Sequence, residues 1–168
     1  MANTDRPNGL EPIGKPDRAN IYTAAGAIYP GDPVRLTAAG KVERAPASSA
    51  LCGAALGLAK LDGDQILVAD CVNQYFKIQA DAGQIDALDD INANYNLADT
   101  SSAFNAAYQV SRAELASSTG SAASTSSTLP LKLLGISKEV NNTLGTNVNC
   151  VVKINNHQLA GGTGTLGV

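Results

Sequence analysis

The sequence predicts an all-β protein, a small β-barrel or β-sandwich with an extended N-terminal arm and a glycine-rich C-terminal tail. Short runs of strand-type alternation recur along the chain, each bounded by turn residues. The composition fits a core of small side chains. Of 168 residues, 27 are alanine, 44% are hydrophobic and only 4% are aromatic. Charged residues make up 16%, against about 25% in an ordinary domain, so the surface is polar through Ser, Thr and Asn. The length is that of one domain and suffices to bury roughly 70% of the surface an unfolded chain exposes.

Residues 1–19 contain Pro7, Pro12 and Pro16. Proline fixes φ and lacks an amide donor, so this stretch is expected as an extended arm rather than a central strand. The body, residues 20–158, opens with the β-type run 20–23. Tyr29-Pro30-Gly31-Asp32-Pro33 is turn chemistry that leads into a hairpin of 33–37 and 41–44 around Ala38-Ala39-Gly40. Val34 and Leu36 are expected on one face and Arg35 on the other. Residues 51–59 carry no charge and suit a strand buried on both faces. Asp62-Gly63-Asp64 is expected as a hairpin turn before a strand at 66–69. Residues 75–80 alternate most clearly, with Phe76, Ile78 and Ala80 inward and Tyr75, Lys77 and Gln79 outward.

Farther on, residues 84–91 are expected as a short helical turn and 108–111 as a strand, while 113–116 fit either state. Residues 117–128 are nearly pure Ser, Thr, Ala and Gly and are expected as a mobile surface loop. Residues 131–137 and 148–154 read as strands, the second with Val148, Cys150, Val152 and Ile154 on one face. Residues 159–168 form the tail.

Composition also narrows the function. A net charge of −3 leaves no basic footprint for nucleic acid. No apolar run reaches the roughly 18 residues of a membrane span, and no apolar stretch follows the first charges as in a secretory signal. Cys52, Cys71 and Cys150 lie far apart without a CxxC pair, which predicts buried, reduced thiols and no zinc or redox site. His157 is the only histidine and has no nucleophile context around it. The carboxylates at 62–64 and 86–90 lack a calcium-loop pattern, and no phosphate-binding glycine loop occurs. The expectation is a non-enzymatic protein with no cofactor, no catalytic residue and no metal ligand.

The strongest functional signal lies in scattered motifs. Met1-Ala2-Asn3-Thr4 with Pro7-Asn8-Gly9 and Pro12 opens the chain, and Gly31-Asp32-Pro33-Val34 enters the first hairpin. Leu131-Lys132-Leu133-Leu134-Gly135 and Gly145-Thr146-Asn147-Val148 follow in order. Ile154-Asn155-Asn156-His157-Gln158 and Gly164-Thr165-Leu166-Gly167-Val168 close the chain. In islands running nearly end to end, this pattern resembles the decoration, or cement, proteins of tailed-bacteriophage heads. The chain departs from the resemblance in a short segment between Pro12 and Ala27 and in the degenerate Ser/Thr loop.

The resemblance implies a β-rich, usually trimeric module on the outer surface of an icosahedral shell, made in the bacterial host cytoplasm. It implies the major capsid protein and further copies of the chain as partners, with no nucleic acid and no membrane. Candidate capsid or trimer contacts are Arg6, Pro7, Asn8, Gly9 and Pro12 in the arm, and Asn155, Asn156, His157 and Gln158. For the second group, hydrogen bonding within a turn is the alternative. A virion-surface module that binds carbohydrate or a receptor is the competing expectation.

Overall fold

The structure is a computed structural model that describes residues 3–83, 85, 90–98, 104–105, 109–117, 124–162 and 164–167. Among these residues there is no α-helix. The chain enters through β1 (Glu11–Pro12) and then builds a closed barrel. Its strands are β2 (Ala19–Ala25), β3 (Pro33–Leu36), β4 (Val42–Arg44), β5 (Gly53–Ala55) and β6 (Asp62–Ala69), in the order β2-β4-β3-β5-β6. The predicted hairpin is β3–β4, with Val34 opposite Arg44 and Leu36 opposite Val42. Val34 is buried, and Arg35 reaches Glu43 at 2.6 Å on the other side. Five strands enclose little space, and small side chains fill it: Ala24, Ala55 and Ala59 join Ile28, Val34, Val42, Ile66 and Val68. β5, drawn from the uncharged run, is buried throughout.

The second half forms a sheet against the barrel. β7 (Tyr75–Gln79), β8 (Asn94–Tyr95), β13 (Leu131–Ile136) and β14 (Asn149–Ile154) join β1 in the antiparallel order β1-β7-β14-β13-β8. Short pairs complete it: β9 (Leu97–Ala98) with β12 (Glu114–Leu115), and β10 (Phe104–Asn105) with β11 (Val110–Ser111). The larger core lies between sheet and barrel, where Phe76, Ile78, Leu131, Leu133, Cys150 and Val152 meet Leu51, Ala54 and Ala69. The alternations read from 75–80 and 148–154 place these residues inward as expected.

Several expectations require correction. Asp62 and Gly63 do form the expected turn, closed by the Asp64 N–H donating to the Leu61 carbonyl at 3.3 Å, but the same residues already belong to β6, where Gly63 (φ 94°) accompanies a shift of register against β2. The Asp64 carboxylate accepts the N–H groups of Lys60 and Leu61 and so fixes the entry to that turn. Gln79 is buried rather than outward, because the N-terminal arm crosses it. Cys71 is half-buried, unlike Cys52 and Cys150. Residues 114–115 are strand. In the Ser/Thr segment, Ser124 bridges Asn94, and Ser126 and Thr128 bond each other at 2.9 Å, so its C-terminal part is built into the sheet edge. Residues 118–123, most of the expected helical turn at 84–91, and Tyr108 lie outside the described residues.

Candidate functional site

The arm is extended, as its prolines require, but it lies along its own body. Asn3 donates to the carbonyls of Thr143 and Thr146 and accepts the Thr143 N–H. The Arg6 N–H donates to Gln79 Oε1 at 2.7 Å, while Gln79 Nε2 donates to the Thr4 and Asn147 carbonyls. A second buried amide, Gln74, accepts from Asp17 N–H and donates to the Ile13 carbonyl. These two glutamines hydrogen-bond arm backbone in place of strand partners. Pro12 sits opposite Phe76 at the sheet edge, where its missing N–H breaks no ladder.

Between Arg6 and Pro12 the arm passes the barrel at close range. Gly9 (φ 73°) and Gly31 (φ 84°) cross, and Leu10 N–H donates to the Gly31 carbonyl at 2.8 Å. A Cβ on Gly9 would overlap the Gly31 carbonyl oxygen, and one on Gly31 would overlap that of Asn8. Both positions need glycine for the backbone angle and for the approach. Leu10 then drops its side chain fully into the larger core. Of the arm candidates, Gly9 is therefore a packing residue, Pro7 and Asn8 are half-buried beside the crossing, and the Arg6 side chain is exposed.

A groove of about 340 Å³ opens between the arm and the 139–149 segment. Its floor is Lys77, which bonds Glu11 at 2.9 Å and Glu139 at 3.1 Å. Burial works against the Lys77 charge, but the two carboxylates outweigh it and raise its pKa. The walls are amide-rich, with Asn3, Asn8, Asn141, Asn142, Asn147 and Asn149. Asn142 and Asn149 are already tied to neighbouring backbone and to Glu139.

The 155–158 cluster is bonded to the chain's own backbone, with His157 buried, Asn155 and Asn156 half-buried and Gln158 exposed. Asn155 donates to the Ser127 and Leu129 carbonyls and accepts from the N–H and hydroxyl of Thr165, which pins the tail. Asn156 donates to the Thr128 carbonyl. Gln158 accepts the Leu36 N–H and donates to the Leu36 carbonyl, capping the end of β3. His157 is buried. Its Nδ1 accepts the Leu159 N–H at 3.1 Å, and its Nε2 has no hydrogen-bond partner. Burial lowers the His157 pKa.

One polar centre escaped the sequence reading. Asp70, at the end of β6, has a side chain only 1% exposed. It accepts from Arg18 Nε at 2.9 Å, Asn20 Nδ2 at 2.8 Å and the Tyr22 hydroxyl at 2.6 Å. Burial pushes the Asp70 carboxyl up, but these bonds outweigh it and hold the carboxyl below its usual range. The only available signal was an aspartate ending an apolar strand. The adjacent Cys52 thiol is pushed up to about 11 by burial, which makes it a poor nucleophile at neutral pH.

Among the described residues no group of three or more His, Cys, Asp or Glu side chains is placed to hold a metal ion. Among the described residues there is no helix long and apolar enough to cross a membrane. A scan against models of known protein families gives no match, and a search of curated proteins finds no significant similarity. What the site defines is a class: an all-β protein whose N-terminal arm and C-terminal tail are fastened to its body by side-chain amides.

Proposed function

We propose that the chain is a decoration protein of a tailed-bacteriophage head, a structural module that binds the outside of the shell and bridges capsomers, as a trimer. The observation that carries this reading is that the motif islands meet in space. Pro7-Asn8-Gly9 crosses Gly31 of the Gly-Asp-Pro-Val entry, and Asn155 of the Asn-Asn-His-Gln segment holds Thr165 of the tail motif. Motif residues from separate islands of the sequence but joined in the fold form an architectural pattern, and none of them assembles a nucleophile with a base.

Cementing needs a preformed surface repeated on a lattice, so that modest contacts multiply. An arm and a tail already fastened to the body cost little further ordering on binding. The test is the mass of the purified protein by light scattering, followed by co-sedimentation with heads that lack it. A mass near three chains and saturable binding to heads support the proposal. A protein that never co-sediments sinks it.

A second reading, a virion-surface carbohydrate- or receptor-binding module, is favoured by the amide-lined groove, since amides pair with sugar hydroxyls. Glycan-array binding abolished by Asn8→Ala and Asn141→Ala would support it.

A further inference from the structure

We propose a binding site for a single oxyanion group, a phosphate or carboxylate, on the outer face of the five-stranded sheet, at Lys132, Lys153 and His157. Lys132 on β13 and Lys153 on β14 are direct cross-strand partners. Their neighbours Leu131, Leu133, Val152 and Ile154 are buried, so both lysines stand on the outer face. Like charges directly opposite one another destabilise a sheet. Elsewhere on this face the protein neutralises its lysine, since Lys77 lies between Glu11 and Glu139. Lys132 and Lys153 have no carboxylate among the described ion pairs. Each ammonium is recorded bonding one neutral acceptor, the Leu166 carbonyl at 2.6 Å and Asn73 Oδ1 at 3.1 Å, which leaves donors to spare.

Both lysines line a pocket of about 200 Å³ under the tail, and His157 lines it with them. The Nδ1 atom accepts the Leu159 N–H, so the neutral ring carries its proton on Nε2, and that donor is buried without an acceptor. A buried orphan donor beside two unneutralised ammonium groups is the donor set an oxyanion requires. Asp70, the acid whose charge acts on His157, is held by Arg18, Asn20 and Tyr22 and does not fill the role. The pocket admits one small group rather than a polyanion. Its source is either free phosphate or an acidic side chain of a neighbouring protein.

The test is equilibrium dialysis of the full chain against radiolabelled inorganic phosphate, with thermal melts at matched ionic strength, repeated with a blocked glutamate tripeptide. The comparison protein is the Lys132→Gln/Lys153→Gln double variant. Phosphate stabilises most proteins by exclusion, so the difference between the two proteins is what counts. The wild type is expected to bind one phosphate or one peptide per chain. Its melting temperature should rise about 3 °C more than the variant's at ten times the dissociation constant. The variant should melt no lower than wild type in anion-free buffer, because the like-charge pair is gone. Peptide binding without phosphate binding assigns the site to a protein neighbour, and the reverse assigns it to a free ion. Equal responses of wild type and variant, or no binding of either probe, overturn the proposal. Neither result depends on whether the chain decorates a capsid.

Discussion

Leu10 decides whether the N-terminal arm is an appendage or part of the fold. Its side chain is fully buried in the core between sheet and barrel, beyond a crossing that only two glycines permit. Truncating it by Leu10→Ala removes buried methyl groups and leaves a cavity walled by strands that cannot collapse. Substitutions of this type cost about 2–5 kcal/mol, and a site that cannot collapse falls toward the upper end, about 4. For a chain of this length that corresponds to a melting temperature lowered by about 8–16 °C. The assay is thermal and urea denaturation followed by circular dichroism, with Leu166→Ala as the control. Leu166 is 69% exposed, so its truncation should change stability by less than about 0.5 kcal/mol. A loss below about 1 kcal/mol for Leu10→Ala would refute the reasoning, because it would mean that the arm is detached in the native protein. Deleting residues 1–12 would then be harmless to the fold, whereas the buried Leu10 predicts that this deletion destabilises it.

Further expectations follow from the same contacts. Gly31→Ala places a Cβ against the Asn8 carbonyl oxygen at φ 84°, and should cost at least about 2 kcal/mol and speed hydrogen exchange at the Leu10 amide. Gly14→Ala, equally left-handed but in open space, should cost only the backbone strain, and similar losses for the two variants would exclude the collision as a cause. Asp70→Asn should cost about 1–3 kcal/mol at pH 7, because Arg18 is half-exposed and regains water. The Asp70 pKa is lowered by folding, so its contribution is present above the ordinary aspartate range and fades as pH falls through the folded value. Wild type and variant melting temperatures should therefore converge as the pH is taken below the ordinary aspartate range. Folding also lowers the His157 pKa, so its neutral form is favoured and stability is lost as pH falls below the ordinary histidine value. His157→Gln should narrow the difference in melting temperature between pH 7.5 and pH 5, and an unchanged difference would contradict the burial argument.

The elements most legible in the sequence were those whose side chains alternate against a single core. The strands at 75–79 and 149–154 and the hairpin at 33–44 report their buried faces directly in the order of their residues. Gln79 did not, since its burial depends on an arm arriving from 73 residues away, which no local period encodes. Asp70 was hidden for the same reason, because its partners Arg18, Asn20 and Tyr22 come from the neighbouring strand β2 and the residue before it, some fifty residues earlier in the chain. The Asp-Gly signal at 62–63 marked the turn that the Asp64 N–H closes on the Leu61 carbonyl, but not that β6 begins at Asp62 or that the Asp64 side chain caps Lys60 and Leu61. The polar cluster at 155–158 was visible as a run of hydrogen-bonding residues. That each of them would bond within the chain, to Leu36, Thr128, Leu159 and Thr165, required the packing.

The five-stranded sheet has consequences for crowding. One margin ends in Pro12, which offers no amide to an incoming strand. The other ends in Asn94, already bridged to Ser124, with Gly167 bonded in turn to the Thr125 carbonyl. The barrel has no free margin at all. Among the described residues, the five-stranded sheet and the barrel therefore offer a neighbouring copy little backbone to pair with, which works against edge-to-edge zipping when copies are packed densely.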